Sequence, residues 1–402
     1  MRASSAFGLS LLSIFAIALL AETLWFGFMS DDFVLVHRVV NEGFFTSWGG
    51  ETGEAFFRPV TVASYFTDNL IWGLRPFGYH LTNLFWHIGC SILVCLLSLR
   101  LFSCRRMAVL AGFVFLLLGS HSESVSWVSG RTDLIAAAFG LASTLLFLRG
   151  SFLSLPLLAL ALLAKESALA VPAVWVLLMP EAGKDARRWI VSAGLILSFI
   201  YVLLRALKGD VTGNLAAAGG NTGPLVVAGN LVRYLLRVFI PPLPGSLRPF
   251  LESHVYLIPL FAGGLLLCML FPLYRRSREG FRETMQYLAM FLVSLLPVVF
   301  MSVSLFDTRS ERFLYLPGVF AVLALVKLAF SVLSAKRATV LLLVFALLQG
   351  GFLYRSNRNW KRAGEICREV ISSGDCFSAP DNYRGAYVFR NGCQEAMDLF
   401  GE

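Results

Sequence analysis

From end to end the chain repeats one pattern: an apolar run of about 13 to 22 residues, then a loop that carries the charge. A hydrocarbon core of roughly 30 Å takes about 20 helical residues to cross, and about eleven runs approach that length. They lie near 7–28, 80–101, 107–119, 133–149, 152–164, 168–180, 190–205, 255–273, 285–305, 313–333 and 338–353. Lipid offers backbone N–H and C=O groups no water, so continuous apolar runs of this kind fold as helices. The spacing predicts an all-α integral membrane protein with about eleven transmembrane helices. Composition agrees, since 57% of the 402 residues are hydrophobic and only 15% charged, too apolar for a soluble domain of this length.

A formal charge of +9 could point to nucleic acid, but its placement argues otherwise. Lys and Arg concentrate in alternate loops, at Arg2, Arg100/Arg105/Arg106, Arg149, Lys184/Arg187/Arg188, Arg275/Arg276/Arg278/Arg282 and Lys336/Arg337. Cytoplasmic loops carry such an excess. The N-terminus is therefore expected in the cytoplasm, and the C-terminus outside after an odd number of crossings. The first run lacks a convincing small-residue cleavage site and is expected to stay as a helix.

Two external regions follow from this count. The first, 29–79, includes "TVASYFTDNLIWGL", whose aromatic residues recur at helical spacing and predict amphipathic surface helices. The second, 206–254, opens Gly- and Asn-rich. After Pro224 it continues as a helix bearing Arg233 and Arg237, expected to lie on the membrane or re-enter it. The polar segment 355–402 is expected as a small external helical tail, a cap or a truncated helix-pair repeat, distinct from the membrane domain 1–354. Cys367, Cys376 and Cys393 there allow one disulfide with one thiol left over, and no cysteine has zinc-ligand spacing.

Asp31, Asp32, Arg58, His80, His121, Glu123, Arg131, Asp133, Lys165, Glu166, Arg309, Glu311, Arg312 and Tyr315 all gather on the outer side. Unlike the cytoplasmic loops, this face mixes signs. Arg and Lys at the interface can hold a phosphate, Arg through its planar fork and Lys as a point charge. Carboxylates opposite them can bind a metal, orient the cations or take a proton from an attacking hydroxyl. Bland readings compete. "DD" can be a solvated helix start, His121 with Glu123 an interfacial hydrogen bond, and Arg131 with Asp133 a local ion pair. Lys165–Glu166 is harder to dismiss, because it interrupts an apolar stretch from 152 to 180 and charge at such depth is costly.

The series "DD", "FFRPVTVASYFTDNLIWGLRPFGYHLTNLFWH", "HSESVSWVSGRTDLIAAAF", "LALLAKESALAVP" and "ERFLYLPGV" resembles the membrane part of the transmembrane and tetratricopeptide-repeat O-mannosyltransferases and their bacterial relatives. These sit within the wider GT-C glycosyltransferase fold, with protein O-mannosyltransferases and lipid A aminoarabinose transferase. The likeness runs in order over about residues 20 to 355. It implies a GT-C-type bundle in a bacterial inner membrane, with a cytoplasmic N-terminus and a cavity at the outer surface. It also implies transfer of a sugar from a polyprenyl-phosphate donor, with inversion, to a hydroxyl of a protein, lipid or glycan. Asp31 or Asp32 would be the general base, and Arg131, Lys165, Arg312 and Arg58 would receive the donor phosphate. Glu166 and Glu311 would orient those cations. His121, Glu123, Asp133, Tyr315 and His80 would orient groups or contact substrate. One carboxylate pair without a clear third ligand favours no metal, and no cofactor beyond the lipid-linked sugar is implied. The chief rival, a secondary transporter or lipid flippase, predicts internal repeats and broken helices at mid-membrane, whereas the charges here cluster at one face.

Overall fold

The computed structural model describes residues 18–47, 57–179, 185–207, 223–254 and 257–401. Helix dominates. The sheet among the described residues is one antiparallel pair, Asn382–Tyr383 with Ala386–Tyr387. By length and composition 6 helices can cross a membrane: Pro76–Phe102, Val128–Leu148, Ala186–Leu207, Leu257–Arg276, Glu311–Val332 and Ala335–Ser373. Arg105–Leu116 and Gly119–Ser126, bent by 50° at the break between them, make up to 7.

Among the described residues the eleven expected crossings are therefore not all confirmed, for local reasons. Ser154–Ala164 and Ala170–Leu178 have 11 and 9 residues, about 16 and 14 Å at 1.5 Å per residue. Each is shorter than a hydrocarbon core is thick, so by length alone neither qualifies as a full crossing. The Arg278–Leu295 helix begins with Arg278, Glu279, Arg282 and Glu283 and gives way to a 3-10 turn, Leu296–Val298, at Pro297. Half of the expected first crossing, 7–28, and the Gly-rich part of 206–254 lie outside the described residues.

Helices run alternately up and down. The junctions bearing exposed Arg105, Arg106, Arg276, Lys336 and Arg337 thus share the end opposite Asp31. The apolar core sits between helices 76–102, 105–116, 131–148, 278–295 and 315–332, around Val94, Phe115, Leu141, Phe291 and Val322. On the outside, Leu195, Ile196, Phe199 and Leu204 of the Ala186–Leu207 crossing remain exposed, as suits a face that meets lipid tails.

The two surface helices expected in the first external region are present as Asp31–Ser47, kinked at Gly43, and Pro59–Trp72. The tail differs from the expected separate helix pair. The Ala335–Ser373 helix has 39 residues, about 58 Å, roughly twice a hydrocarbon core, and passes straight through the anticipated boundary at 355. Near its outer end Gly364 lies against Gly27, where a Cβ would come within 3.0 Å of the Gly27 nitrogen. Beyond it a hairpin and the Cys393–Phe400 helix are joined by a Cys376–Cys393 disulfide, leaving Cys367 buried and free. Phe26, Phe28, Phe33, Tyr65, Tyr79, Trp127, Trp360, Tyr387 and Phe389 form a second, largely aromatic core. First loop and tail are one packed layer above the bundle.

Candidate active site

Asp31 and Asp32 open the Asp31–Ser47 helix, where the helix dipole favours carboxylates. Their surroundings diverge. Asp32 is fully buried. Its Oδ2 accepts the Met29 N–H at 3.0 Å, and its Oδ1 accepts the Ser129 N–H at 2.8 Å and the Ser129 hydroxyl at 2.5 Å. Burial outweighs these bonds and, with the charge of Asp31 adding, pushes the Asp32 carboxyl from 3.8 up to about 7. Asp31 is half-buried, and its Oδ1 accepts from Asn391 Nδ2 at 2.6 Å. Asp32 thus fastens the first loop to the "SGRTD" turn, while Asp31 presents a carboxylate towards solvent. That turn needs Gly130, because a Cβ there would meet the Glu123 carbonyl at 2.7 Å.

The remaining acids and bases interlock across distant segments. Arg58, at the N-cap of Pro59–Trp72, donates from Nη2 to Glu166 Oε1 at 2.7 Å, and Arg205 approaches Glu166 Oε2 at 3.4 Å. Lys165 Nζ donates to Asp133 Oδ2 at 2.5 Å. Glu123 accepts both the Arg312 backbone N–H, at 2.9 Å, and the Arg312 guanidinium. Lys165 and Arg312 flank one ring, their cationic groups 5.2 and 4.9 Å from the centroid of Phe313. Arg58 and Arg312 both act electrostatically on Lys165. Three predicted cations, Arg58, Lys165 and Arg312, therefore converge at the charged end of the bundle, with Arg58 and Arg312 keeping 19% and 17% of their side-chain surface exposed.

Other predicted residues sit elsewhere. Arg131 is fully buried and donates to Asn83 Oδ1, Ser64 Oγ and the Tyr79 carbonyl while pairing with Asp68 at 2.5 Å. It clasps the Pro59–Trp72 surface helix to the bundle helix Pro76–Phe102. His121 and Tyr315 lie inside the helix bundle, ring centroids 4.5 Å apart and packed on Phe115. Tyr315 shares its hydroxyl with His87 Nδ1 at 2.7 Å. His80 is buried beneath the Gly27 carbonyl at 3.4 Å. Glu311 pairs with Arg237 and not with its neighbour Arg312. Arg131, His121, Tyr315 and His80 are thus packed inside the protein and not turned towards the phosphate or substrate they were expected to meet, and Glu311 holds Arg237 in place of the cations expected for it.

Sequence reasoning left out Asp68, Arg205, Arg237 and Asn391 from the site. The first three had a usable signal: a charge flanked by apolar helical residues is costly unless paired. Asn391 had none, since only folding brings the tail to Asp31. Among the described residues no group of three or more His, Cys, Asp or Glu side chains is arranged to hold a metal ion.

Fold and site together define a multi-pass helical membrane protein with a packed extramembrane layer and interlocked charges beneath it. Curated proteins share this stretch of sequence. The chain is 30% identical over 142 residues to human protein O-mannosyl-transferase TMTC3, 35% identical over 121 residues to Drosophila melanogaster protein O-mannosyl-transferase Tmtc1, and 33% identical over 116 residues to human protein O-mannosyl-transferase TMTC4. These alignments cover 33%, 28% and 24% of this chain. They span only 15%, 14% and 16% of those relatives. The likeness to the transmembrane O-mannosyltransferases read from the motifs is thus also found by sequence comparison, across a third of this chain or less. No family model matches, and no solved structure matches.

Proposed function

We propose that the protein is a membrane glycosyltransferase that moves a sugar from a polyprenyl-phosphate donor to an acceptor hydroxyl at the extracytoplasmic face, with inversion at the anomeric carbon. Asp31 takes the hydroxyl proton. The resulting oxygen attacks the anomeric carbon from the side opposite the phosphate, and the bond from that carbon to the phosphate oxygen breaks with its electron pair on the phosphate. The leaving group is already an anion, so cations and not an acid are what it needs. Lys165, Arg312 and Arg58 supply them, each steadied by a carboxylate. The names of the relatives favour mannose as the sugar and a protein hydroxyl as acceptor.

The observation that carries this reading is the placement of Lys165 and Arg312 over one ring. Each is held against its own carboxylate, Asp133 or Glu123, so a phosphate arriving there would meet cations already fixed in place. Lys165→Ala alone would strand Asp133 in the interior, which costs about 3–5 kcal/mol for a buried pair. The informative variant is therefore Lys165→Ala with Asp133→Asn. In nanodiscs with radiolabelled polyprenyl-phosphate sugars, this double variant is expected to raise the donor KM about tenfold or more while the protein remains folded. An unchanged donor KM would make Lys165 a structural residue and remove it from the donor site.

A further inference from the structure

The 374–393 segment closes over the base. The Ser30 N–H donates to the Val388 carbonyl at 2.7 Å, Phe33 stacks on Phe389 with centroids 5.4 Å apart, and Gly392 packs so closely that a Cβ would lie 2.6 Å from the Ser30 carbonyl. Gly392 also has a φ of +83°, which a side chain would strain. At the end of this contact the Asn391 amide donates to Asp31 Oδ1 at 2.6 Å. Tyr387 of the same segment lies under Arg312, 6.0 Å from its guanidinium carbon. The Cys376–Cys393 disulfide, 17 residues apart in sequence, joins the start of the segment to the residue after Gly392.

We infer that the tail is a working part of the active site: Asn391 is a positioning residue that orients the Asp31 carboxylate, and the Cys376–Cys393 bond is the fastener that keeps it there. This rests on the reading of Asp31 as the base. A carboxylate free to rotate presents its proton-accepting oxygen only part of the time. With Oδ1 held by Asn391, Oδ2 is left to face the acceptor hydroxyl. The role belongs to turnover and not to donor binding, since Asn391 touches no residue of the cation cluster in the described structure.

Asn391→Ala is expected to lower kcat about tenfold with the donor KM unchanged. Asn391→Gln, whose longer amide fits this exposed position, should recover most of the loss. Reducing the disulfide, or replacing it by Cys376→Ser with Cys393→Ser, should lower wild-type kcat by a similar factor and lower Asn391→Ala little further, because the two changes break one linkage. Equal kcat in wild type and Asn391→Ala, or a full further loss on reducing Asn391→Ala, would overturn the inference. Hydrogen–deuterium exchange across 29–33 supplies a readout independent of activity, and reduction should raise it. If the wild type shows no transfer with any donor, the glycosyltransferase reading falls. In that case unchanged exchange on reduction overturns the clamp as well, whereas raised exchange supports the tail as fastener of this loop.

Discussion

At the scale of single residues, adjacent aspartates carry different physical burdens. Asp32 is enclosed, with its oxygens committed to Met29 and Ser129, and ionises in the fold only near pH 7. A carboxyl raised from 3.8 to about 7 supports the fold fully below its unfolded value. That support is lost as pH rises through about 7, amounting to on the order of 4 kcal/mol for a shift of about three units. The stability of wild type relative to Asp32→Asn, followed by thermal melting in detergent, should therefore fall between about pH 4 and pH 7.5. A difference independent of pH would show that Asp32 does not titrate in this window. From sequence the two aspartates could not be told apart, since both occupy the same helix start. Their separation depends on Ser129 and Asn391, distant in the chain. Lys165 and Glu166 were legible because charge inside an apolar stretch is expensive. The burial of Arg131, His121 and Tyr315 was not, because sequence shows that a residue lies near an interface but not which way its turn faces.

At the scale of elements, the apolar runs located nearly every helix, but run length alone misjudged what each does. The pair Ser154–Ala164 and Ala170–Leu178 reads as two crossings and forms two short arms that lift Lys165 and Glu166 to the site. The break at 117–118 bends one apolar run so that Glu123 turns back to meet Arg312. The Ala335–Ser373 helix was read as a crossing followed by a separate tail. Polarity does change near 355, yet helical hydrogen bonding ignores it and carries the chain outward to Gly364 and Gly27. Exposed Lys336 and Glu369 mark its two ends, about 50 Å apart. In intact, sealed cells a membrane-impermeant thiol reagent should label Glu369→Cys and spare Lys336→Cys, with the reverse in inside-out vesicles. The opposite pattern would invert the topology and place the charged layer in the cytoplasm.

For the whole molecule, an apolar bundle positions chemistry that its outer layer completes. The bundle holds Lys165, Glu166, Glu123 and Arg312, while the first loop and the disulfide-bonded tail hold Asp31 above them. Arg58 of the first loop reaches down to Glu166 of the bundle, and the tail packs on the first loop through a continuous aromatic core, so on the proposed reading the two parts share one site. The most direct test of the account is turnover of radiolabelled polyprenyl-phosphate mannose by purified protein in nanodiscs, comparing wild type with Asp31→Asn, an isosteric change at a half-buried position. The account predicts transfer by the wild type and a loss of at least about a thousandfold in the variant, with inserted, folded protein and donor binding retained. Transfer by Asp31→Asn at the wild-type rate would contradict it.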